Sequence, residues 1–144
     1  MSNKNIYEIF EDFKKETTRA GRLAVLQKNN TKVLKDVLQG TYHPDVTFFI
    51  KKIPEYKNEP VPPGMAYGNM TEALSRIYLF VANNPRTPAG LTEKRKTEIL
   101  IQILESLEPQ EAEVFANIIR KDQKIPFLTN NLINEAFPGL LPEA

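Results

Sequence analysis

The 144-residue sequence has no cysteine, which excludes a disulfide framework, a thiolate metal site and a cysteine nucleophile. A chain without thiols suits a reducing compartment, and a cytoplasmic location is the expectation. No run approaches the roughly 20 apolar residues of a membrane span, and the start "MSNKNIYEIFEDFKKE" lacks the apolar centre of a signal peptide. No membrane role is expected. The formal net charge is only +1, which excludes a strongly basic nucleic-acid coat. Residues 1–64 carry eleven Lys and Arg against eight Asp and Glu, and residues 65–144 carry eight against ten. Any anion-binding surface must therefore be local.

The chemistry of catalysis is also sparse. His43, in "GTYHPDV", is the single histidine. It could serve as a base or metal ligand, but without a second histidine or any cysteine it reads better as a turn residue at a helix junction. Glu105, Glu108, Glu111 and Glu113 could be drawn together as a divalent-ion site. Carboxylates also gather at helix starts and solvated faces, where they complement the dipole, and that reading is preferred. "PPGMAYGN" has glycines but neither the spacing nor the strand–helix setting of a phosphate loop. No nucleophile–base pair stands out, so neither an enzyme, a metal nor a cofactor is expected.

What is present is helical periodicity in a chain 41% hydrophobic and 26% charged, which suits one domain, residues 1–144, with a core of its own. Ile6, Ile9, Phe10 and Phe13 mark a first helix, with Asn5 and Glu8 as a capping pair. A second opens near Thr17 or Thr18. Thr31 caps a third, with Gly40 at its end. Asp45 caps a short "VTFFIKK" helix, although β-branched and aromatic residues also suit a strand; helix is preferred because no partner strand is evident. Residues 51–69 form a proline-bearing strap that cannot be helical throughout. Asn69 and Glu72 start "TEALSRIYLFVAN". Thr92 opens a helix to about Leu107, Pro109 takes the first position of the next, and Thr129 caps a short last helix reaching Phe137. The expected architecture is all-α, a bundle of about seven or eight helices with little or no sheet.

Three basic clusters compete for a functional role. In "RKDQKIPFLTNNLINEAFPGLLP", residues 120–142, Lys121 and Lys124 flank a turn that leads into Thr129, Asn130 and Asn131. Helix starts expose free N–H groups, and Thr and Asn side chains add uncharged hydrogen bonds to phosphate oxygens. Equally, Thr129 could merely cap its helix while the lysines sit in water. "TEKRKTE", with Arg86 before it, spreads Lys94, Arg95 and Lys96 around a helix, so they cannot meet one phosphate strand together. Lys51 and Lys52 follow "TFFI", with Lys28, Lys32 and Lys35 nearby in sequence; Asn29-Asn30-Thr31 breaks any stripe through the latter three.

The stretch "YEIFEDFKKETTRAGRLAVLQKNNTKVLKDVLQGTYHPDVTFFIKKIP" resembles the N-terminal, all-helical DNA-binding domain of the ATP-dependent DNA ligases of T-even type bacteriophages. "EAEVFANIIRKD" and "NEAFPGLLPE" are similar to the last helices of the same domain, while residues 55–90 match poorly. Two departures stand out. No lysine lies in a Lys-x-Asp-Gly motif, so the chain lacks the residue that takes AMP. The contact turn, glycine-bearing in the ligases, here reads "KDQKIPFLTNN", and Pro126 removes one amide donor.

The resemblance implies a non-catalytic, phage-encoded DNA-binding accessory protein in the host cytoplasm, contacting the backbone of intact or nicked duplex with little sequence preference. Lys121, Lys124, Thr129, Asn130, Asn131, Lys51 and Lys52 are the expected contacts. The rival expectation is a protein-interaction adaptor for phage or host replication or transcription proteins, docking through Tyr56, Met65 and Tyr67 on the strap.

Overall fold

The computed structural model describes residues 6–44, 46–50, 52–57, 70–81 and 90–141. Among these, seven α-helices follow in order: α1 (Ile6–Lys15), α2 (Arg19–Lys28), α3 (Lys32–Tyr42), α4 (Met70–Ser75), α5 (Glu93–Ser106), α6 (Pro109–Arg120) and α7 (Asn130–Ala136). A 3-10 turn (Ile77–Phe80) separates α4 from α5, and no strand occurs among the described residues. The all-α helical bundle is as expected.

Four of the starts are set by threonine. Thr18, Thr31, Thr92 and Thr129 are extended, and each hydroxyl accepts from the N–H three residues on, at Gly21, Leu34, Arg95 and Leu132. Each cap is worth about 1 kcal/mol. α6 starts with Pro109 in its first turn, where the missing N–H would have had no partner anyway. Eight of the twelve α6 residues are buried, so it is no surface helix with one apolar stripe but the central rod of the bundle. It packs against α1, α3, α4 and α5, whereas α7 rests on α2, which in turn rests on α1. Phe13, Leu26, Leu34, Phe80, Leu100, Leu104, Phe115, Ile118 and Ile133 lie fully buried in one apolar cluster.

Three local expectations need correction. "VTFFIKK" is not a helix: Phe48 bridges antiparallel to Val81, and the Phe49 N–H donates to the Phe80 carbonyl at 3.1 Å. The β-branched and aromatic residues favour extension, and their partner is a lone residue after a 3-10 turn, with no strand pattern of its own. "TEALSRIYLFVAN" is broken, α4 ending at Ser75, whose hydroxyl donates back to the Glu72 carbonyl at 2.6 Å and so competes with the helical ladder. Gly40 lies inside α3 rather than at its end. A Cβ there would meet Ile118 Cγ2 at 3.0 Å, so this glycine lets α3 approach α6 closely.

Asn5, Asp45, Asn69, Arg86, Lys51 and most of the strap, including Met65 and Tyr67, lie outside the described residues. The described part of the strap reaches the bundle: the Lys57 N–H donates to Glu105 Oε2 at 3.0 Å, and Tyr56 is half-buried, its hydroxyl pushed above the usual phenol range by burial first and by Glu113 second.

Candidate functional site

α6 ends in a Schellman-type cap. Lys121 is left-handed (φ 63), its N–H bonds the Ile118 carbonyl at 3.0 Å, and the Asp122 N–H bonds the Asn117 carbonyl at 3.1 Å. Glycine usually fills that left-handed place; here it is lysine, and the chain turns left again at Lys124 (φ 58) and Phe127 (φ 68). The expected absence of glycine from this turn thus coexists with three backbone positions that would favour it. The Lys124 N–H is held by Asp122 Oδ1 at 2.8 Å, an aspartate turn closing on its own backbone.

The first half of the turn is spent inside. Lys121 Nζ donates to the carbonyls of Gly40 at 2.9 Å and His43 at 2.7 Å, and lies 5.9 Å from the Phe48 ring centroid. It therefore reaches the Gly40 carbonyl near the end of α3 and shares the His43 carbonyl with the Val46 N–H, and burial pushes its amine down to about 8. Lys121 was expected to face a phosphate; it faces the protein. Gln123 is buried, and its side-chain nitrogen donates to Thr41 Oγ1 at 3.0 Å and to the Val114 carbonyl at 3.1 Å. Its backbone N–H serves the Tyr42 hydroxyl, which burial raises to about 12.

The second half faces solvent. Lys124, Pro126, Phe127, Thr129, Asn130 and Asn131 are exposed, between buried anchors at Ile125 and Leu128. Lys124 takes no part in the ion pairs formed among the described residues. Phe127 is 64% exposed, and the Arg22 guanidinium from α2 sits 3.9 Å over its ring. Sequence reasoning passed over both Phe127 and Arg22, because nothing in "KIPFLTNN" distinguishes an exposed phenylalanine from a core one.

α7 is anchored from behind. Leu132, Ile133, Phe137 and Leu141 are buried. Phe137 to Leu140 form a tight turn, with Gly139 at φ 81 and the Leu140 N–H on the Phe137 carbonyl at 3.1 Å, as a Pro-Gly type II turn requires. Lys35 lies 5.6 Å from the Phe137 ring, Gln39 Nε2 reaches the Leu140 carbonyl, and Arg19 pairs with Glu135. Thr129 performs its capping role, accepting from the Leu132 N–H at 3.2 Å. Asn130 and Asn131 remain exposed beside it.

The other cationic clusters are largely engaged. Lys32 pairs with Asp36, Arg95 with Glu98, and Lys96 lies 5.0 Å from the Phe49 ring. Lys52 is exposed, but no hydrogen bond or ion pair among the described residues joins it to the turn. Lys124, Thr129, Asn130 and Asn131 are thus exposed along one short segment, while Lys121 turns inward and no bond among the described residues joins Lys52 to that segment.

The four glutamates considered as a metal site are dispersed in role. Glu105 holds the strap, Glu113 pairs with Arg120 at 3.4 Å, and Glu111 Oε1 accepts from the Ile6 N–H at 3.0 Å, capping α1 from α6. Burial raises the Glu111 carboxyl to about 7, despite the N–H groups of Ile6 and Tyr7 that favour its anion; Glu108 and Glu8 add to the rise. Between α1 and α6 runs a groove of about 480 Å³, floored by Phe10, Val114 and Ile125 and edged by Tyr7, Lys14 and Glu113.

The family described as "Family of unknown function (DUF6433)" matches residues 9–126. The chain belongs to that family. No curated protein matches it. The match takes this DUF6433 chain from within α1 through α6 and into the outer half of the turn, ending at Pro126.

Proposed function

We propose that this DUF6433 chain is a non-catalytic DNA-binding accessory domain that grips the sugar-phosphate backbone with the outer half of the α6–α7 turn. The observation that carries the reading is the arrangement of that half: exposed Lys124 in the turn and exposed Thr129, Asn130 and Asn131 at the start of α7, on a backbone anchored by buried Ile125, Leu128 and Leu132. A polyanion contact needs cations and short polar donors on a rigid base, and those are supplied here without a basic protein overall. The resemblance to the phage ligase DNA-binding domain supports the same reading. With Lys121 turned inward the contact is small, of the order of two phosphates, so binding is weak and mostly nonspecific.

Titration of fluorescently labelled intact and nicked duplex at low salt tests this. Micromolar binding that weakens steadily with salt is expected. Lys124→Ala should reduce the salt slope by about 1. Absence of binding at high micromolar protein, or an affinity indifferent to salt, sinks the proposal.

A second reading rests on the α1–α6 groove, whose apolar floor and mixed-charge edges suit an amphipathic helix of a partner protein. It keeps the scaffold and assigns contact to a different face. A Lys14→Glu substitution at the exposed edge of the groove that abolishes capture of a partner, without altering duplex binding, would favour it.

A further inference from the structure

We infer that Phe127 is a stacking platform for a single unstacked nucleobase, held ready by Arg22. The inference rests on the DNA-binding reading above and adds what that reading lacks, a group that responds to the base rather than the phosphate.

Among the described residues, Phe127 is the one exposed large hydrophobic side chain, at 64%. Aromatic rings usually bury their area. This one is carried outward by a left-handed backbone that phenylalanine rarely adopts. Its ring is nevertheless positioned: the Arg22 guanidinium covers one face at 3.9 Å, a contact in which the cation meets the negative face of the ring. Stacking one face on a guanidinium reduces the ring's rotational freedom before any ligand arrives.

The surroundings select the occupant. A protein-docking hot spot sits at the centre of an apolar patch ringed by neutral contacts. Phe127 instead stands alone, with Lys124, Thr129, Asn130 and Asn131 as its exposed near neighbours in sequence. An isolated ring among a cation and short polar side chains suits a flat base whose phosphates lie nearby, because every base presents a π-face and stacking tolerates any sequence. Bases in intact duplex are already stacked on each other. The ring therefore discriminates in favour of DNA in which a base is extrahelical.

The test uses the full chain and three labelled duplexes of one sequence: fully paired, with one bulged adenine, and with an abasic residue at the bulge. The abasic duplex has the same bend and charge but no base. The bulged adenine is expected to bind roughly tenfold more tightly than the abasic bulge. Phe127→Ala should erase that difference and leave affinity for paired duplex unchanged, while Phe127→Trp should retain it. A thermal melt of each variant checks that the fold is intact. Equal binding of adenine and abasic bulges by the wild type, or a preference that survives Phe127→Ala, overturns the inference and leaves the backbone-binding reading standing. Binding to none of the three duplexes overturns both. Phe127-dependent self-association in sedimentation, with no base preference, also overturns it and assigns the ring to a protein contact.

Discussion

The two halves of the α6–α7 turn use similar residues to opposite ends. Lys121 and Gln123 point inward and close the polar groups at the end of α3. Lys124 and Phe127, further along the turn, repeat the left-handed backbone of Lys121 but are exposed. The sequence offers two lysines in one short segment and no rule for telling them apart. What separates them is the Schellman cap: by fixing Lys121 in its left-handed position beside α3, it brings the ammonium to the carbonyls of Gly40 and His43 where α3 ends. A buried polar group must be satisfied, so the nearest long donor is recruited into the fold. The next one is left over.

If that division is real, the inner half should govern stability and the outer half binding. The largest effect is expected from Gln123→Ala, which removes two buried hydrogen bonds and leaves a cavity. A loss of about 3 kcal/mol is expected in urea denaturation, against a change within about 0.5 kcal/mol for Phe127→Ala. Comparable losses from the two substitutions would break the division.

A second effect reads a buried polar group of α6 itself, Glu111. Glu111 has its folded-state value raised from 4.5 to about 7, so between those values the folded protein holds a proton that the unfolded chain has released. Its contribution is fully present below pH 4.5 and is lost as pH rises through 7. The difference in stability between wild type and Glu111→Gln should shift by about 3 kcal/mol across that window. A difference curve that is flat with pH would show that the α1 cap is not as desolvated as it looks.

Lys121→Met should cost about 1–2 kcal/mol, since the stem still covers Phe48 while the Gly40 carbonyl loses its ammonium donor and the His43 carbonyl keeps only the Val46 N–H. Duplex affinity should be unaffected at an equal folded fraction. Lys124→Ala should do the reverse, lowering affinity and leaving the melt unchanged. A Lys121→Met variant that loses DNA binding while remaining folded would return that lysine to the contact surface.

Much of the bundle was legible because its signals are local. The caps at Thr31, Thr92 and Thr129, proline in the first turn of α6 and the apolar spacing of α5 each act within one helical turn, and the helices begin and end accordingly. What was illegible depends on contacts between distant segments. Phe48 finds Val81 only in three dimensions, and Gly40 is needed because Ile118 lies against it. The candidate site was half legible for the same reason. The exposure of Lys124, Thr129, Asn130 and Asn131 follows from a polar local sequence, whereas the fate of Lys121 depends on where α3 ends in space. Phe127 was missed because exposure of an aromatic residue is decided by backbone hand, and hand was not predictable where glycine was absent.

The smallest expected effect is the most diagnostic. Lys124 holds a left-handed conformation at φ 58 that costs an L-residue with a side chain about 1–2 kcal/mol, a strain that glycine does not feel. Glycine gives back part of this through the greater freedom of its unfolded chain, so Lys124→Gly should stabilise the protein by about 0.5 kcal/mol. Lys124→Ala keeps the strain and should not. Both variants should lose the same increment of duplex affinity and the same unit of salt slope. A strained residue whose replacement strengthens the fold and weakens binding is one retained for its side chain. If Lys124→Gly instead stabilises the fold and binds duplex as well as the wild type, the outer half of the turn is only a connection between α6 and α7, and its lysine is an ordinary solvated one.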